Sequence, residues 1–460
     1  MTDFSTLLAA DLGQPAHAIA TVAKSRLDEW LTAQPARARA AIEAARFEGK
    51  ADTLVILPGE AADEWSVVVG IAEESGPWPL AVAAAKLPEG SYRLAEGAPG
   101  DAALGWLLAQ HRFDRYREPP KNHGPRVLLT PEPARIDEFV QLAGAVALVR
   151  DLVDTPAGDL GPAELAEAAE KIARQHHASF SMVQGDALAE QYPMVHAVGR
   201  AASRVRAPRL IEIEWGDPRH PRVALVGKGV CFDSGGLDIK PASGMLLMKK
   251  DMGGAAHALA LAGLVMAARL PVRLHLLIPA VENAVSGDAF RPGDILNSRK
   301  GLSVEIGNTD AEGRLILADA LARACEEDPI LLLDFATLTG AARVALGPDL
   351  PALFASDDAL ADDLCASGMR VGDAVWRMPL WAPYGEMLES NVADVNNAGT
   401  GGMAGAVTAA LFLQKFVTAT ISWAHLDTFA WRGAAKPGRP KGGEALGLRA
   451  AWEMLRTRFG

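Results

Sequence analysis

The stretch from Val223 to Gly236, Val-Ala-Leu-Val-Gly-Lys-Gly-Val-Cys-Phe-Asp-Ser-Gly-Gly, decides how this chain is expected to fold. Its first four residues are apolar and mostly β-favouring, which predicts a short buried strand over Val223 to Val226. The glycine-rich residues that follow carry a lysine, Lys228, and a carboxylate, Asp233. In open α/β sheets, ligands bind in loops at the carboxyl ends of strands. The stretch therefore predicts a strand of such a sheet with a polar site at its end.

Strands and helices alternate on both sides of this stretch. Further strands are predicted over Leu210 to Trp215, Leu274 to Ile278 and Ile330 to Phe335, with a short alternating run over Val304 to Ile306. Helical spacing predicts helices over Met252 to Ala268, Ala311 to Glu326 and Ala404 to Val417. Such alternation favours an α/β fold with a central, mostly parallel or mixed sheet covered by helices.

The first part of the chain has its own strand and helix pattern. Strands are predicted over Leu54 to Leu57 and Trp65 to Val69, and a helix over Ala102 to Arg112. A Pro-rich segment from Arg117 to Arg126 predicts a loop, and Val127 to Leu129 a last strand. These elements indicate a small α/β domain.

The length of 460 residues makes two domains the starting expectation. We predict an N-terminal α/β domain over residues 1–130 and a linking helix over 131–155, with helical spacing from Ile136 to Leu152. The larger domain then covers residues 156–460.

Composition and charge restrict the classes of protein that fit. The net charge of −12 disfavours a nucleic-acid binder, because phosphate contacts need clustered basic side chains. The three cysteines are too sparse for a disulfide framework and fit a reducing compartment. The N-terminal residues lack the basic and apolar regions of a signal peptide, and no apolar run approaches the roughly 20 residues that span a bilayer. A cytoplasmic protein outside the membrane is expected.

Four carboxylates lie in glycine-flanked segments next to predicted sheet. They are Asp233, Asp251, Asp310 and Glu312. Carboxylates drawn together repel and raise one another's pKa values unless a cation neutralises them. Oxygen ligands of this kind suit Mg²⁺, Mn²⁺ or Zn²⁺. The alternative is that Asp310 caps the following helix and Asp233 caps a turn. Clustering with basic residues at 228, 240 and 314 favours a functional site.

The basic residues also have two interpretations. Lys228 and Lys240 flank Asp233, and a lysine near bound cations loses its proton readily and becomes a ligand or polarising group. Without the carboxylates, both would be taken as solvated loop lysines. Arg314 either pairs with a neighbouring acid or holds a small anion bidentately.

Other catalytic motifs are absent from the sequence. It contains no His-Glu-x-x-His, Gly-x-Ser-x-Gly or phosphate-binding glycine motif. His425 is expected to be a hydrogen-bonded core histidine, and Cys231 to be a buried small hydrophobe.

At these residues the sequence resembles the leucyl aminopeptidases, the cytosol aminopeptidases with a dinuclear metal site. The resemblance spans roughly residues 150 to 460. It rests on Asn-Thr-Asp-Ala-Glu-Gly-Arg-Leu at Asn308 to Leu315, Gly227 to Gly236, Lys240, Met248 to Gly254, Ala336 to Ala341 and Trp423 to Asp427. The sequence departs from the pattern of this family at two positions. Residue 231 is Cys where many relatives have Thr, and Asp238 is an additional acid near the site. Both departures bear on the substrate specificity.

The resemblance implies a metal-dependent aminopeptidase that removes the N-terminal residue, Leu among others, from peptides. Two divalent ions, Mn²⁺ or Zn²⁺, would be held by Lys228, Asp233, Asp251, Asp310 and Glu312. Asp233 and Glu312 would bridge both ions. The resemblance also implies a homo-oligomer, a hexamer built as a dimer of trimers.

The same resemblance implies roles around the metals. Lys240 would stabilise the tetrahedral oxyanion, and Arg314 would hold a bicarbonate ion that acts as general base. Leu338 would offer its backbone carbonyl to the departing amine. The pocket for the first side chain would be lined by Met248, Thr337 and Gly340.

Two other functions fit parts of the pattern. Carboxylate-rich two-metal sites also hydrolyse phosphate esters, so a phosphoesterase is the alternative enzyme. A non-catalytic, DNA-binding role known among relatives is the other, and the acidic charge disfavours it as the main function.

Overall fold

The computed structural model describes residues 2–61, 63–73, 76–118 and 124–460. The chain divides into two compact units. Unit 1 runs to Ala147 and includes Gly433–Lys441, and unit 2 comprises Leu148–Arg432 and Gly442–Gly460. The division falls inside one helix, Ile136–Asp154, within the segment predicted to link two domains. Residues 119–123, in the predicted Pro-rich loop, lie outside the described residues.

Unit 1 is built on a mostly parallel sheet. Its strands are β1 (Leu8–Ala10), β2 (His17–Ala23), β3 (Leu54–Pro58), β4 (Trp65–Ile71), β5 (Gly90–Leu94) and β6 (Arg126–Thr130). Its helices are α1 (Leu27–Thr32), α2 (Ala36–Ala44), α3 (Ala81–Lys86), α4 (Ala102–Leu108) and the first part of α5 (Ile136–Asp154). The strand order is β1-β6-β5-β2-β4-β3, and β3 alone pairs antiparallel among the described strands of this sheet.

The helix predicted from Ala102 to Arg112 ends earlier than expected, at Leu108. Shortly after it, the side chain of Gln110 accepts a hydrogen bond from the backbone N–H of Arg126 (3.0 Å) and donates one to the carbonyl of Arg126 (2.9 Å). These long-range bonds tie the residues after Leu108 to β6, and helical spacing in the sequence gives no sign of them.

Unit 2 contains the remaining elements. Its strands are β7 (Ser179–Gln184), β8 (Arg209–Trp215), β9 (Arg222–Gly227), β10 (Gly229–Asp233), β11 (Arg273–Asn283), β12 (Ile295–Asn297), β13 (Ser303–Glu305), β14 (Leu331–Ala336), β15 (Ala352–Ala355), β16 (Trp376–Arg377), β17 (Val395–Asn396), β18 (Ser422–Asp427), β19 (Trp431–Arg432) and β20 (Gly442–Gly443). Its helices, after the end of α5, are α6 (Pro162–Gln175), α7 (Asp186–Gln191), α8 (Pro193–Gly199), α9 (Ala242–Met245), α10 (Gly253–Ala267), α11 (Glu312–Cys325), α12 (Gly340–Leu346), α13 (Asp358–Arg370), α14 (Gly405–Gln414) and α15 (Leu448–Phe459).

The main sheet of unit 2 is mixed, with a parallel centre. Its order is β16-β15-β18-β14-β9-β11-β8-β7, and β18, β14, β9 and β11 run parallel to one another. Antiparallel pairs occur at β15–β18, β11–β8 and β8–β7. The short β10 extends the parallel set by pairing with the second half of β11. The predicted α/β class with a mixed sheet and covering helices is confirmed.

The centre of unit 2 is closely packed. Every residue of β9 and β14 is buried, and α10, which is rich in Ala and Gly, is buried along nearly all its length. A Cβ at Gly254 in α10 would lie 2.1 Å from the carbonyl oxygen of Phe335, so this position needs glycine for the helix to lie against β14. None of the helices that the structure describes is both long enough and apolar enough to cross a membrane.

Candidate active site

The residues singled out in the sequence meet at one edge of the main sheet of unit 2. Lys228 follows β9 directly, Asp233 ends β10, and Thr337 follows β14. Because these strands run parallel, their carboxyl ends lie side by side. Asp251 follows a short 3₁₀ helix (Met248–Lys250), Asp310 lies in another (Thr309–Ala311), and Glu312 begins α11.

Lys228 lies at the bottom of the cluster. Its Nζ is 2.7 Å from Oδ2 of Asp251 and 3.1 Å from Oε1 of Glu312, and it donates a hydrogen bond to the Thr337 carbonyl (3.2 Å). All three charged side chains are buried. Burial opposes the charge, but the carboxylates, Asp251 foremost, hold the pKa of Lys228 above its ordinary value.

Lys240 lies between two other carboxylates. Its Nζ is 2.9 Å from Oδ2 of Asp233, and it forms a second ion pair with Asp310. The other oxygen of Asp233 accepts hydrogen bonds from the Gly235 N–H and the Asn283 side chain, both at 2.8 Å. Asp233 therefore supports a turn with one oxygen and faces the site with the other. The interpretation as a turn cap and the interpretation as a site residue each describe part of its role.

Asp310 does not cap the helix that follows it. Asn308 performs the local capping, since its side chain accepts a hydrogen bond from the Asp310 N–H (2.7 Å). The Asp310 carboxylate is thereby left for Lys240. The capping interpretation of Asp310 is wrong, because the N-cap residue of α11 is Ala311 and no side chain of the described residues caps this helix.

The acidic cluster is short of positive charge. Asp233, Asp310 and Glu312 each offer an oxygen within 4.8 Å of the others. Burial, followed by the charge of Asp233, raises the pKa of Glu312 to about 8 and that of Asp310 to about 6. Among the described residues, Lys228 is the one ion-pair partner of Glu312, at Oε1, and Oε2 accepts no hydrogen bond. Such a donor set fits divalent cations, which would restore the ionised form of each carboxylate.

A cavity of about 290 Å³ opens on this cluster. Of the residues predicted for the site, its wall includes Lys228, Asp233, Lys240, Met248, Asp251, Asp310, Arg314, Thr337, Leu338 and Gly340. Glu312, which is almost fully buried, contacts Lys228 but is not part of the wall. The Thr337 hydroxyl donates to Oδ1 of Asp251 (2.7 Å), which couples the loop after β14 to the carboxylates.

Arg314 lies in the same wall, on α11. Its Nη1 donates to the Asn397 carbonyl (2.7 Å), while its Nε donates no hydrogen bond within the described part of the chain. Burial lowers the pKa of Arg314 to about 10. No carboxylate of the described residues forms an ion pair with it, so the predicted alternative of pairing with a neighbouring acid is not what the structure shows.

Several residues of the site were not singled out from the sequence. Lys250 and Phe429 both line the cavity and lie next to each other. The sequence pattern includes the motif that contains Lys250 but does not single out this lysine. Asp427 accepts hydrogen bonds from the N–H groups of Leu338 (2.9 Å) and Thr339 (3.2 Å) and so fixes the loop after β14. Lys250 could have been found from the sequence, because it directly precedes Asp251 in a recognised motif. Asp427 ends the recognised 423–427 segment, but nothing in the sequence indicates its hydrogen bonds or a role for Phe429.

Three further predictions have structural outcomes. Cys231 is buried, and His425 is a buried, hydrogen-bonded core residue, as expected. Asp238 is exposed and accepts a hydrogen bond from the Thr309 N–H (2.8 Å). It supports the loop before α11 and does not line the cavity, so a direct effect on the pocket is not supported.

Comparison with known proteins agrees with this arrangement. The catalytic-domain model of the cytosol aminopeptidase family matches residues 147–451, and the N-terminal-domain model of the same aminopeptidases matches residues 18–129. A probable cytosol aminopeptidase of Roseiflexus castenholzii is 44% identical over 370 residues, covering 76% of this chain and 75% of the relative.

Solved structures give the same result. The crystal structure of a cytosol aminopeptidase from Coxiella burnetii matches with a TM-score of 0.93 and 44% identity, over 98% of this chain and 99% of that one. The bottromycin maturation enzyme BotP in complex with Mn matches with a TM-score of 0.85 and 33% identity, over 96% of this chain and 100% of that one.

The fold and site thus define a peptidase, a hydrolase that acts on peptide bonds. The chain belongs to the cytosol aminopeptidase family, whose members are metal-dependent enzymes that hydrolyse peptides from the N-terminus.

Proposed function

We propose that this chain removes Leu and other N-terminal residues from peptides with two divalent metal ions, a lysine that stabilises the oxyanion and a bicarbonate held by an arginine. One observation carries the proposal: Asp233, Asp310 and Glu312 bring their oxygens within 4.8 Å of one another in a largely buried site at the base of a cavity. Three acids so placed need more positive charge than the two neighbouring lysines provide.

The ions would be held by Lys228, Asp233, Asp251, Asp310 and Glu312. When bound, two divalent ions lower the pKa of a water molecule and polarise the scissile carbonyl. Mn²⁺ and Zn²⁺ both suit this set, because carboxylate ligands accept either. The Mn in the structure of BotP supports the first of them.

Lys240 would stabilise the negative charge that develops on the carbonyl oxygen. Its ammonium group lines the cavity and is oriented by Asp233 and Asp310. Burial opposes its charge, but these carboxylates, Asp233 first, raise its pKa above the ordinary value, so it is charged at neutral pH. A fixed cation in a site of restricted solvent access is an effective oxyanion stabiliser.

Arg314 would hold bicarbonate as the general base. Asn397 fixes one edge of the guanidinium, while the Nε hydrogen is unpaired within the described residues, as bidentate capture of a small planar anion requires. The Leu338 carbonyl would accept a hydrogen bond from the departing amine. Met248, Thr337 and Gly340 would line the pocket for the first side chain.

The native assembly and location belong to the same proposal. We infer a hexamer in the cytoplasm, from the resemblance and from relatives named cytosol aminopeptidases. Light scattering coupled to size exclusion should give the mass of six chains.

Hydrolysis of leucine p-nitroanilide and N-acetyl-leucine p-nitroanilide tests the function. After chelation neither substrate should be cleaved, and Mn²⁺ or Zn²⁺ should restore cleavage of the free-amine substrate alone. Asp251→Asn should lower both the bound-metal content and the activity by about a hundredfold or more, as loss of a buried charged ligand does. Asp363→Asn, an exposed carboxylate on α13, is the matched control. A folded protein that cleaves neither substrate with any metal would exclude the proposed function.

A further inference from the structure

A second buried lysine, Lys250, lies in the wall of the cavity. Only 4% of the residue is exposed, yet it lines the cavity together with Met248. Its Nζ is 5.4 Å from the centre of the Phe429 ring and 3.6 Å from Oδ1 of Asp251. Among the residues that the structure describes, none accepts a hydrogen bond from this ammonium group.

The acids near Lys250 are already engaged. Asp251 lies closer to Lys228, at 2.7 Å, and accepts a hydrogen bond from Thr337. Asp427 accepts bonds from the N–H groups of Leu338 and Thr339 and from the Thr339 hydroxyl (2.6 Å). Lys250 therefore donates no hydrogen bond to either carboxylate, and its one ion pair among the described residues is the 3.6 Å contact with Asp251.

A second cation lies close to the same aromatic ring. The guanidinium of Arg343, an exposed residue of α12, is 4.3 Å from the centre of the Phe429 ring and lines the same cavity. Phe429 thus lies near both a buried cation and an exposed one. No carboxylate of the described residues pairs with Arg343, so of the two cations near Phe429 only Lys250 has an acidic partner, Asp251 at 3.6 Å.

Among the described residues, the only anion in contact with this buried ammonium is Asp251, which lies 3.6 Å away and is shared with Lys228, so a further anion that accepts a hydrogen bond from Lys250 would stabilise it. The cavity wall contains both Lys250 and the residues proposed to surround the first side chain of the substrate, Met248, Thr337 and Gly340. An anion bound there would belong to that side chain. Phe429 offers an apolar surface for its methylene groups.

We propose that Lys250, assisted by Arg343, is a specificity-determining residue that binds the carboxylate of an N-terminal glutamate or aspartate. The inference rests on the proposed aminopeptidase function and narrows it to peptides whose first residue is acidic. Lys250 acts on substrate choice and takes no part in bond cleavage, which Lys240 and the metal ligands serve.

The test compares the p-nitroanilides of Glu, Gln and Leu with metal-loaded enzyme. Glu and Gln have nearly the same shape and differ in charge, so the ratio of their kcat/KM values isolates recognition of the carboxylate. We expect a preference for Glu of about tenfold or more, as for a charge pair removed from water. In Lys250→Met the ratio should fall to near one, while Leu p-nitroanilide is still cleaved. Lys249→Met is the control, because Lys249 donates to the Asp154 carbonyl and does not line the cavity.

The outcomes separate the two proposals. Cleavage of Leu p-nitroanilide with no preference for Glu over Gln overturns the role of Lys250 and leaves the aminopeptidase intact. An unchanged Glu preference in Lys250→Met also overturns it. Loss of all cleavage by the wild-type enzyme contradicts the aminopeptidase function itself. If Lys250→Met does not fold, Arg343→Gln replaces it, since that residue is exposed, and a preference that this variant leaves unchanged overturns the proposal.

Discussion

At the scale of single residues, a hydrogen-bonded group beneath the site links the centre of the main sheet. Nδ1 of His425 lies 2.5 Å from Oδ1 of Asp334, and Nε1 of Trp423 donates to Oδ2 of the same carboxylate (2.7 Å). All three residues are fully buried. Burial alone would lower the pKa of His425, but Asp334 raises it above its ordinary value. The contacts with His425 and Trp423 thus stabilise the buried Asp334 carboxylate.

Asp334→Asn should therefore destabilise the protein by about 3 kcal/mol, because it leaves a buried imidazole without its charged partner. A histidine whose folded pKa is raised contributes stability that is complete below its unfolded pKa, near 6.5, and is lost as pH rises through the folded value. The free energy of unfolding should thus differ more between wild type and Asp334→Asn at pH 6 than at pH 9. Denaturant unfolding at the two pH values measures this.

Asp363→Asn provides the control for Asp334→Asn, because it removes an exposed carboxylate with the same change in charge. Its effect should lie within about 0.5 kcal/mol at both pH values. Equal destabilisation by Asp334→Asn at pH 6 and pH 9 would show that His425 is not charged in the folded protein.

At the scale of elements, strands and helices with a strong local pattern were predictable. β9, β14, α10 and α11 lie within one residue of their predicted bounds, because each has a continuous apolar run or clear helical spacing. β10 was not predicted, since its glycine-rich residues form a strand only through pairing with β11. A local sequence pattern does not indicate which distant strand a segment pairs with.

The site shows the same division between local and long-range information. The motif residues could be grouped because they follow neighbouring parallel strands. The contacts of Asn397 with Arg314 and of Phe429 with Lys250 join segments 83 and 179 residues apart. These contacts depend on the packing of the loops, so the cationic part of the cavity became visible only in the structure.

One element-scale prediction concerns the packing of α10 on β14. In Gly254→Ala the new methyl group would lie 2.1 Å from the Phe335 carbonyl oxygen, so helix and strand must separate. We expect a loss of about 3 kcal/mol in the free energy of unfolding, typical of overpacking. Activity should also fall, because Asp251 precedes α10 and Thr337 follows β14.

Gly263→Ala is the matched control for Gly254→Ala, on the same helix. Its methyl group would meet its nearest neighbour, Cγ2 of Ile172, at 3.8 Å, an ordinary contact. Because alanine favours helix, this variant should be neutral or more stable by up to about 1 kcal/mol. Thermal unfolding and Leu p-nitroanilide hydrolysis compare the two, and equal stability of both variants would contradict close helix–strand contact at Gly254.

At the scale of the whole molecule, metal binding and folding should be coupled through the acidic cluster. The five predicted ligands come from β10, the start of α11 and three connecting segments, so their cluster exists only when unit 2 is folded. Without cations, the raised pKa values of Asp310 and Glu312 show that their charged forms are disfavoured. Cations that bind only the folded state stabilise it by mass action.

Adding Mn²⁺ or Zn²⁺ to the chelated protein should therefore raise its melting temperature. At a free metal concentration a hundred times the Kd, the gain is about 2.7 kcal/mol, which corresponds to a shift of about 4 °C for a unit of about 300 residues. In Glu312→Gln the shift should be largely lost, because a buried amide cannot supply the missing negative charge, whereas Asp363→Asn should shift like wild type. Calorimetry with parallel measurement of bound metal tests the coupling. A protein that binds metal with no rise in melting temperature would show that the acidic cluster is not where the metal binds, since ions held there must favour the folded state over the unfolded chain.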